Sequence, residues 1–224
     1  MNEGQPELKE RAQLIRELLE LRYPEVPNFL RFQRPFELLV GVVLSAQSTD
    51  AQVNRILAGL MQRWPSPCDW ARADLKDIEQ AIYSTGYYRS KARNLKQTAQ
   101  ILCDKGGEVP LDMDELLKLP GVGRKSAHVL RGTLAHLPAI IVDTHFARVT
   151  RRLGLTTATN PIRIENDIAK LIPPHQSYAF SMRVNLHGRL TCQARKPRCS
   201  ECSLRQLCPY DLSKVPGLAK NFST

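Results

Sequence analysis

The chain has 224 residues, 42% hydrophobic and 24% charged, a balance that supports a substantial core in one large domain or two small ones and excludes wholesale disorder. Lys plus Arg number 32 against 22 Asp plus Glu, a net charge of +10, so a polyanion is the first partner to weigh, ahead of a basic surface that only aids solubility. The longest apolar run, Leu38 to Leu44, and the acidic opening MNEGQPELKE lead us to expect neither a membrane span, which needs roughly 20 apolar residues, nor a secretory signal.

Apolar residues recur at helical spacing almost everywhere, first at Leu8, Ala12, Ile15 and Leu19, then at Val53, Ile56, Leu60 and Trp64, and the chain reads as all-α. Leu38 to Leu44 is apolar on every side; with no partner strand in sight it reads as a buried central helix. Thr49 with Gln52 has capping-box spacing, and Asp74 is placed to cap a segment running to Ser84. Gly86 and Gly106 read as helix-ending glycines, and Asn160 followed by Pro161 as a helix start. No internal repeat or low-complexity tract is present. Positive charge concentrates late. Thr144 to Ile164 holds Arg148, Arg151, Arg152 and Arg163 with no acid, and Ile168 to Ser200 holds Lys170, Arg183, Arg189, Arg195, Lys196 and Arg198, again with none.

Three motifs carry chemistry. In Leu119-Pro120-Gly121-Val122-Gly123-Arg124-Lys125-Ser126 two glycines sit between helical patterns, a hairpin whose amides and following helix start suit a phosphate. A plain helix-helix corner would look the same, and the GxxxxGK[ST] spacing of a nucleotide-triphosphate loop is lacking. Lys125 falls in the first turn of the second helix. A reference lysine, with pKa of about 10.4, is roughly 0.04% neutral at pH 7, so a nucleophilic role there requires help from its surroundings; the alternative is a solvated lysine on a phosphate. In Val142-Asp143-Thr144-His145 the apolar approach delivers a carboxylate to a positive helix end, where Asp143 is either a stabiliser of developing positive charge or an N-cap. His145 reads as a packed or capping histidine.

The third motif is Cys192, Cys199, Cys202 and Cys208, spaced C-x6-C-x2-C-x5-C. Without an export signal these read as metal ligands before disulfides, and four thiolates suit an iron-sulfur cluster or zinc. Arg195, Lys196 and Arg198 crowd the first loop and suit phosphate contact. Cys68 and Cys103 stand apart in helical patterns and read as buried apolar residues.

Taken together, in this order and spacing, the motifs resemble the endonuclease III family of helix-hairpin-helix DNA glycosylases, from about Pro35-Phe36-Glu37-Leu38-Leu39 through Ser45-Ala46-Gln47 to Cys208. The resemblance implies two helical domains, a six-helix domain at 28–138 and an iron-sulfur domain formed by 1–27 with 139–224, with an active-site cleft between them. It implies that Lys125 and Asp143 are catalytic and that the four cysteines hold a [4Fe-4S] cluster. Gly121, Val122, Gly123, Arg124, Arg195, Lys196 and Arg198 would meet DNA, and Gln47 would fill the hole left by a flipped nucleotide. Tyr87 stands where the family commonly has a wedging leucine, so stacking on bases is expected there instead. The implied activity is removal of oxidised pyrimidines from duplex DNA and cleavage 3′ to the abasic site, by a monomer in a bacterial-type cytoplasm. Alternatives are a mismatch or pyrimidine-dimer glycosylase of the same family and a catalytically weak DNA-binding paralogue; the presence of Lys125 and of no long segment after Cys208 disfavours the adenine-mismatch type.

Overall fold

The computed structural model describes residues 4–26 and 28–212. Among these residues every regular element is helical, and no helix is long and apolar enough to cross a membrane. The chain divides into two compact units, one of Asn28–His136 and one that joins Met1–Pro27 to Leu137–Thr224. Helix α1 (Gln5–Arg22) opens with the Glu7 carboxylate accepting from the Gly4 amide at 3.0 Å, and its inner face buries Ala12, Ile15 and Leu19 completely.

The Asn28–His136 unit is built around α2 (Pro35–Leu44), whose residues from Phe36 to Leu44 are all buried. The apolar run is thus a central helix, enclosed on all sides as its composition requires. Around it lie α3 (Asp50–Arg63), α4 (Pro67–Arg72), α5 (Leu75–Ala81), α6 (Tyr88–Asp104), α7 (Met113–Leu117) and α8 (Arg124–Ala135), of which α7 is a single short turn. Leu57, Trp70, Ile78, Leu95 and Leu130 complete the core.

Caps set the boundaries, with two departures from expectation. Thr49 Oγ1 accepts from the Gln52 amide at 3.2 Å, but the Gln52 side chain turns away to Ser84, so only half of a capping box forms. Asp74 caps α5 through the Lys76 amide, yet the α-helix stops at Ala81 and a 3-10 turn, Tyr83–Thr85, takes over. Helix α6 ends as Gly106 predicts. The Gly107 amide donates to the Leu102 carbonyl at 2.7 Å and the Gly106 amide to the Cys103 carbonyl at 3.3 Å, with both glycines at positive φ.

Cys68 and Cys103 are not buried apolar residues. They form a disulfide with Cα atoms 5.0 Å apart, and both are half-buried. Helices α4 and α6 pack side by side, which brings together two cysteines separated by 35 positions; that approach is tertiary and invisible to helical periodicity.

In the other unit α1 packs on α10 (Pro161–Leu171) and α11 (Pro174–Leu190), while α9 (Thr144–Arg152) packs on α11. Two 3-10 turns, Cys199–Glu201 and Arg205–Leu207, lead to the short α12 (Pro209–Leu212). Asn160 caps α10 by accepting from the Ile162 and Arg163 amides, with Pro161 in the first turn. Phe146, Ile164, Ile168, Phe180, Val184 and Leu204 are core residues shared with α1. Arg183, 6% exposed, donates to the Tyr23 and Pro24 carbonyls at 2.9 Å each, and Arg11 reaches the carbonyls of Leu153 and Leu207.

Candidate functional site

The hairpin between α7 and α8 is anchored from within. Leu119 and Val122 are buried, the Val122 amide donates to the Leu119 carbonyl at 3.0 Å, and the Thr98 hydroxyl donates to the Pro120 carbonyl at 2.9 Å. Gly121 has φ 83°, and a Cβ there would lie 3.1 Å from Asn94 Cβ and 3.3 Å from Val43 Cγ1, so both conformation and close approach require glycine. Gly123 differs from the expectation of two turn-forming glycines. Its backbone is extended and serves as the N-cap of α8, and no heavy atom lies within 4 Å of where a Cβ would stand. The start of α8 is therefore open to a phosphate. Val122 presents neither side chain nor free amide, which leaves Gly121, Gly123 and Arg124 as the exposed part of the hairpin.

Lys125 follows, exposed in the first turn of α8, and no hydrogen bond or ion pair holds its ammonium among the described residues. Asp143, in the other unit, is the N-cap of α9. Its Oδ1 accepts from the Phe146 amide at 2.7 Å, and its Oδ2 accepts from Asn185 Nδ2. Asn185 is 4% exposed, and its Oδ1 accepts from Arg189 Nε at 2.8 Å. Both carboxylate oxygens thus have N–H donors, which fixes the group's orientation. Asn185 escaped sequence reasoning; the signal was a polar residue on a face of α11 whose other members are buried. His145 is a packed residue, its Nδ1 3.2 Å from Arg148 Nη2. Gly188 lets α9 and α11 approach, since a Cβ there would come 3.0 Å from His145 Cβ and 3.1 Å from Val149 Cγ2.

Gln47 and Tyr87 are both exposed in short loops, the first after α2 and the second ahead of α6, and both have left-handed backbones. The loop from Cys192 to Cys199 exposes Arg195, Lys196 and Arg198, as a phosphate-binding surface requires. Part of the late positive charge is spent elsewhere. Arg152 donates to the Gln193 and Ala194 carbonyls at 2.8 and 2.9 Å and lies 3.3 Å from Cys192 Sγ, and Arg148 donates to the Cys192 and Gly188 carbonyls. These two arginines, one helical turn apart on α9, brace the loop from inside.

Cys192, Cys199, Cys202 and Cys208 form no disulfide among the described residues and line one cavity together with Val149, Leu153, His187 and Tyr210. Burial, reinforced by the neighbouring cysteines, pushes the Cys202 thiol up to about 11, so this thiol ionises readily only against a metal's positive charge. Four cysteine sulfurs lining one space are the donor set of an iron-sulfur cluster. Arg152, reaching Cys192 Sγ, places positive charge beside the site.

Residues 40–174 match the HhH-GPD superfamily of base excision DNA repair proteins, and residues 192–208, which run from the first of these cysteines to the last, match the iron-sulfur binding domain of endonuclease III. The endonuclease III of Synechocystis sp. is 47% identical over 206 residues, covering 90% of this chain and 93% of that protein. Among solved structures, a non-covalent endonuclease III–DNA complex superposes with a TM-score of 0.87 at 40% identity over 92% of this chain and 97% of that one. A trapped endonuclease III–DNA covalent intermediate superposes with a TM-score of 0.87 at 39% identity, over 92% and 98%. The chain therefore belongs to the endonuclease III family, DNA glycosylases and abasic-site lyases of base excision repair that carry a [4Fe-4S] cluster.

Proposed function

We propose that this protein removes oxidised pyrimidines from duplex DNA through Lys125 and Asp143, working as a monomer in a bacterial-type cytoplasm and using Cys192, Cys199, Cys202 and Cys208 to hold its cluster. The observation that carries the reading is Lys125 itself, an exposed amine without an ion-pair partner among the described residues, placed directly after an open hairpin. The related endonuclease III trapped covalently on DNA supports it. The cluster's contribution is to hold the Cys192–Cys208 segment in shape, so that Arg195, Lys196 and Arg198 face the phosphate backbone.

A damaged base that stacks poorly leaves the duplex at least cost. Lys125 Nζ bonds to the sugar C1′ as the bond from C1′ to the base breaks, and the base leaves with a proton. Ring opening gives a protonated Schiff base. Loss of a C2′ proton then expels the 3′ phosphate, which cuts the strand, and hydrolysis of the imine frees the lysine. Asp143, its carboxylate oriented by Phe146 N–H and Asn185, takes the amine proton or balances positive charge at C1′.

Borohydride reduction tests this on duplexes that carry an oxidised thymine or an abasic site. Wild type should form a covalent adduct with both, Lys125→Ala with neither, and Asp143→Asn should lose base excision by at least about 100-fold. An adduct retained by Lys125→Ala would remove Lys125 from the mechanism. Adducts on the abasic duplex alone would shift the substrate to another lesion.

A further inference from the structure

Gln47 and Tyr87 have φ of 57° and 49°, and the only other non-glycine residue with positive φ among those described is His136, at the C-cap of α8. A side chain in the left-handed region is costly unless its surroundings hold it. Gln47 stands three residues after Leu44, where α2 ends, and Tyr87 two residues after Thr85, where the 3-10 turn ends. Between the roots of the two loops lies Lys91, 4% exposed. Its Nζ donates to the Leu44 carbonyl at 2.8 Å and to the Thr85 carbonyl at 2.7 Å.

No carboxylate pairs with Lys91 among the described residues, so its two polar contacts are both backbone carbonyls, one at each loop. Burial pushes its pKa below the usual lysine value, a cost that the two carbonyl bonds offset. Lys91 also belongs to the first turn of α6, where its amide donates to the Tyr87 carbonyl at 3.1 Å. An outer strut runs alongside, Gln52 Nε2 donating to Ser84 Oγ at 2.6 Å. A lysine suits the place better than an arginine, because a compact ammonium with three rotatable donors reaches two carbonyls of unrelated orientation and a planar guanidinium does not.

We propose that Lys91 is a positioning residue that ties the loops of Gln47 and Tyr87 into one rigid two-pronged probe, so that both side chains enter a DNA base stack as a unit. The proposal rests on the reading of Gln47 and Tyr87 as DNA contacts. Two short loops moving independently would each lose freedom on insertion, whereas a pair held by one buried cation has lost it on folding. A methionine at this position keeps the length and the apolar stem and removes both bonds.

The test is a double-mutant cycle of Gln47→Ala and Tyr87→Ala, in wild type and in Lys91→Met. Rates are taken in single turnover for base excision from a duplex carrying an oxidised thymine, and for strand cleavage at an abasic site in single-stranded DNA, where no stack is entered. In wild type the two alanine substitutions should fail to multiply, the double variant being about as slow as the slower single one. Lys91→Met should slow duplex excision at least about tenfold and single-stranded cleavage by less than about threefold, with little further loss on adding either alanine. Independent, multiplying effects in wild type would overturn the proposal, and so would an equal slowing of both substrates by Lys91→Met. If Lys91→Met does not fold, by circular dichroism, the wild-type cycle alone decides. If neither alanine variant changes duplex excision, what fails is the underlying assignment of Gln47 and Tyr87 to DNA.

Discussion

In the Asn28–His136 unit the two cysteines close onto each other across α4 and α6, beside a core that wraps α2 on every side; in the other unit four cysteines line a cavity and form no disulfide among the described residues. One residue type serves two ends, and the spacing of the backbone decides which. Cα atoms 5.0 Å apart suit a disulfide, whereas thiols ringing an open space suit a guest with several metal atoms. Both units build an apolar core from their own side chains, but the first uses its cysteine pair to cross-link two helices and the second presents its four thiols to a guest cluster.

The largest expected effect comes from removing that cluster. Oxidative stripping of iron, or Cys202→Ser, should cost the unit of α1 and α9–α12 several kcal/mol and raise hydrogen exchange across α9 and α11. Exchange in α2 should stay protected. Equal loss of protection in both units would mean that the cluster supports the whole chain and not one unit. Replacing Cys68 and Cys103 together by serine should lower the stability of the Asn28–His136 unit by between about 3 and 4 kcal/mol in the loop-entropy account, with iron content unchanged. Denaturant midpoints of the variant and wild type measure it, and iron loss from this double variant would contradict the division of labour.

The smallest effect sharpens the contrast on the surface. Lys105 and Lys118 hydrogen-bond to Glu115 and hold its carboxyl down at about 2, against 4.5 for the free group. Because the folded value is the lower one, this contribution is complete above about pH 4.5 and disappears as the pH falls through about 2. Both lysines are exposed and Glu115 is only partly shielded from water, so the effect is slight. In Glu115→Gln the acid-dependent rise in exchange at α7 should flatten over that window.

Much of this architecture is legible in the residues. The all-round apolar run became the buried α2, Asn160 with Pro161 began α10, and Asp143 capped α9. These are local patterns, and local hydrogen bonds or a uniform environment enforce them. The disulfide was hidden because it depends on which helices lie side by side. Asn185 and Lys91 were hidden because a polar side chain in a helical pattern reads as solvated until its neighbours are known; their partners lie 42 positions away for Asn185 and 47 and 6 for Lys91. Within the basic stretch Arg195, Lys196 and Arg198 are exposed, whereas the guanidinium groups of Arg148 and Arg152 turn to carbonyls inside the fold, a difference that only the tertiary structure sets.

Arg11 binds carbonyls 142 and 196 positions further along the chain, and that distance orders events on the ribosome. Helix α1 is translated before its partners α10 and α11 and waits for them. The Asn28–His136 unit, continuous in sequence, is complete much earlier and can fold while the rest emerges. A nascent chain thus carries α1 as an unmatched apolar strip, Ala12, Ile15 and Leu19 included, while the whole of the 28–136 unit is made.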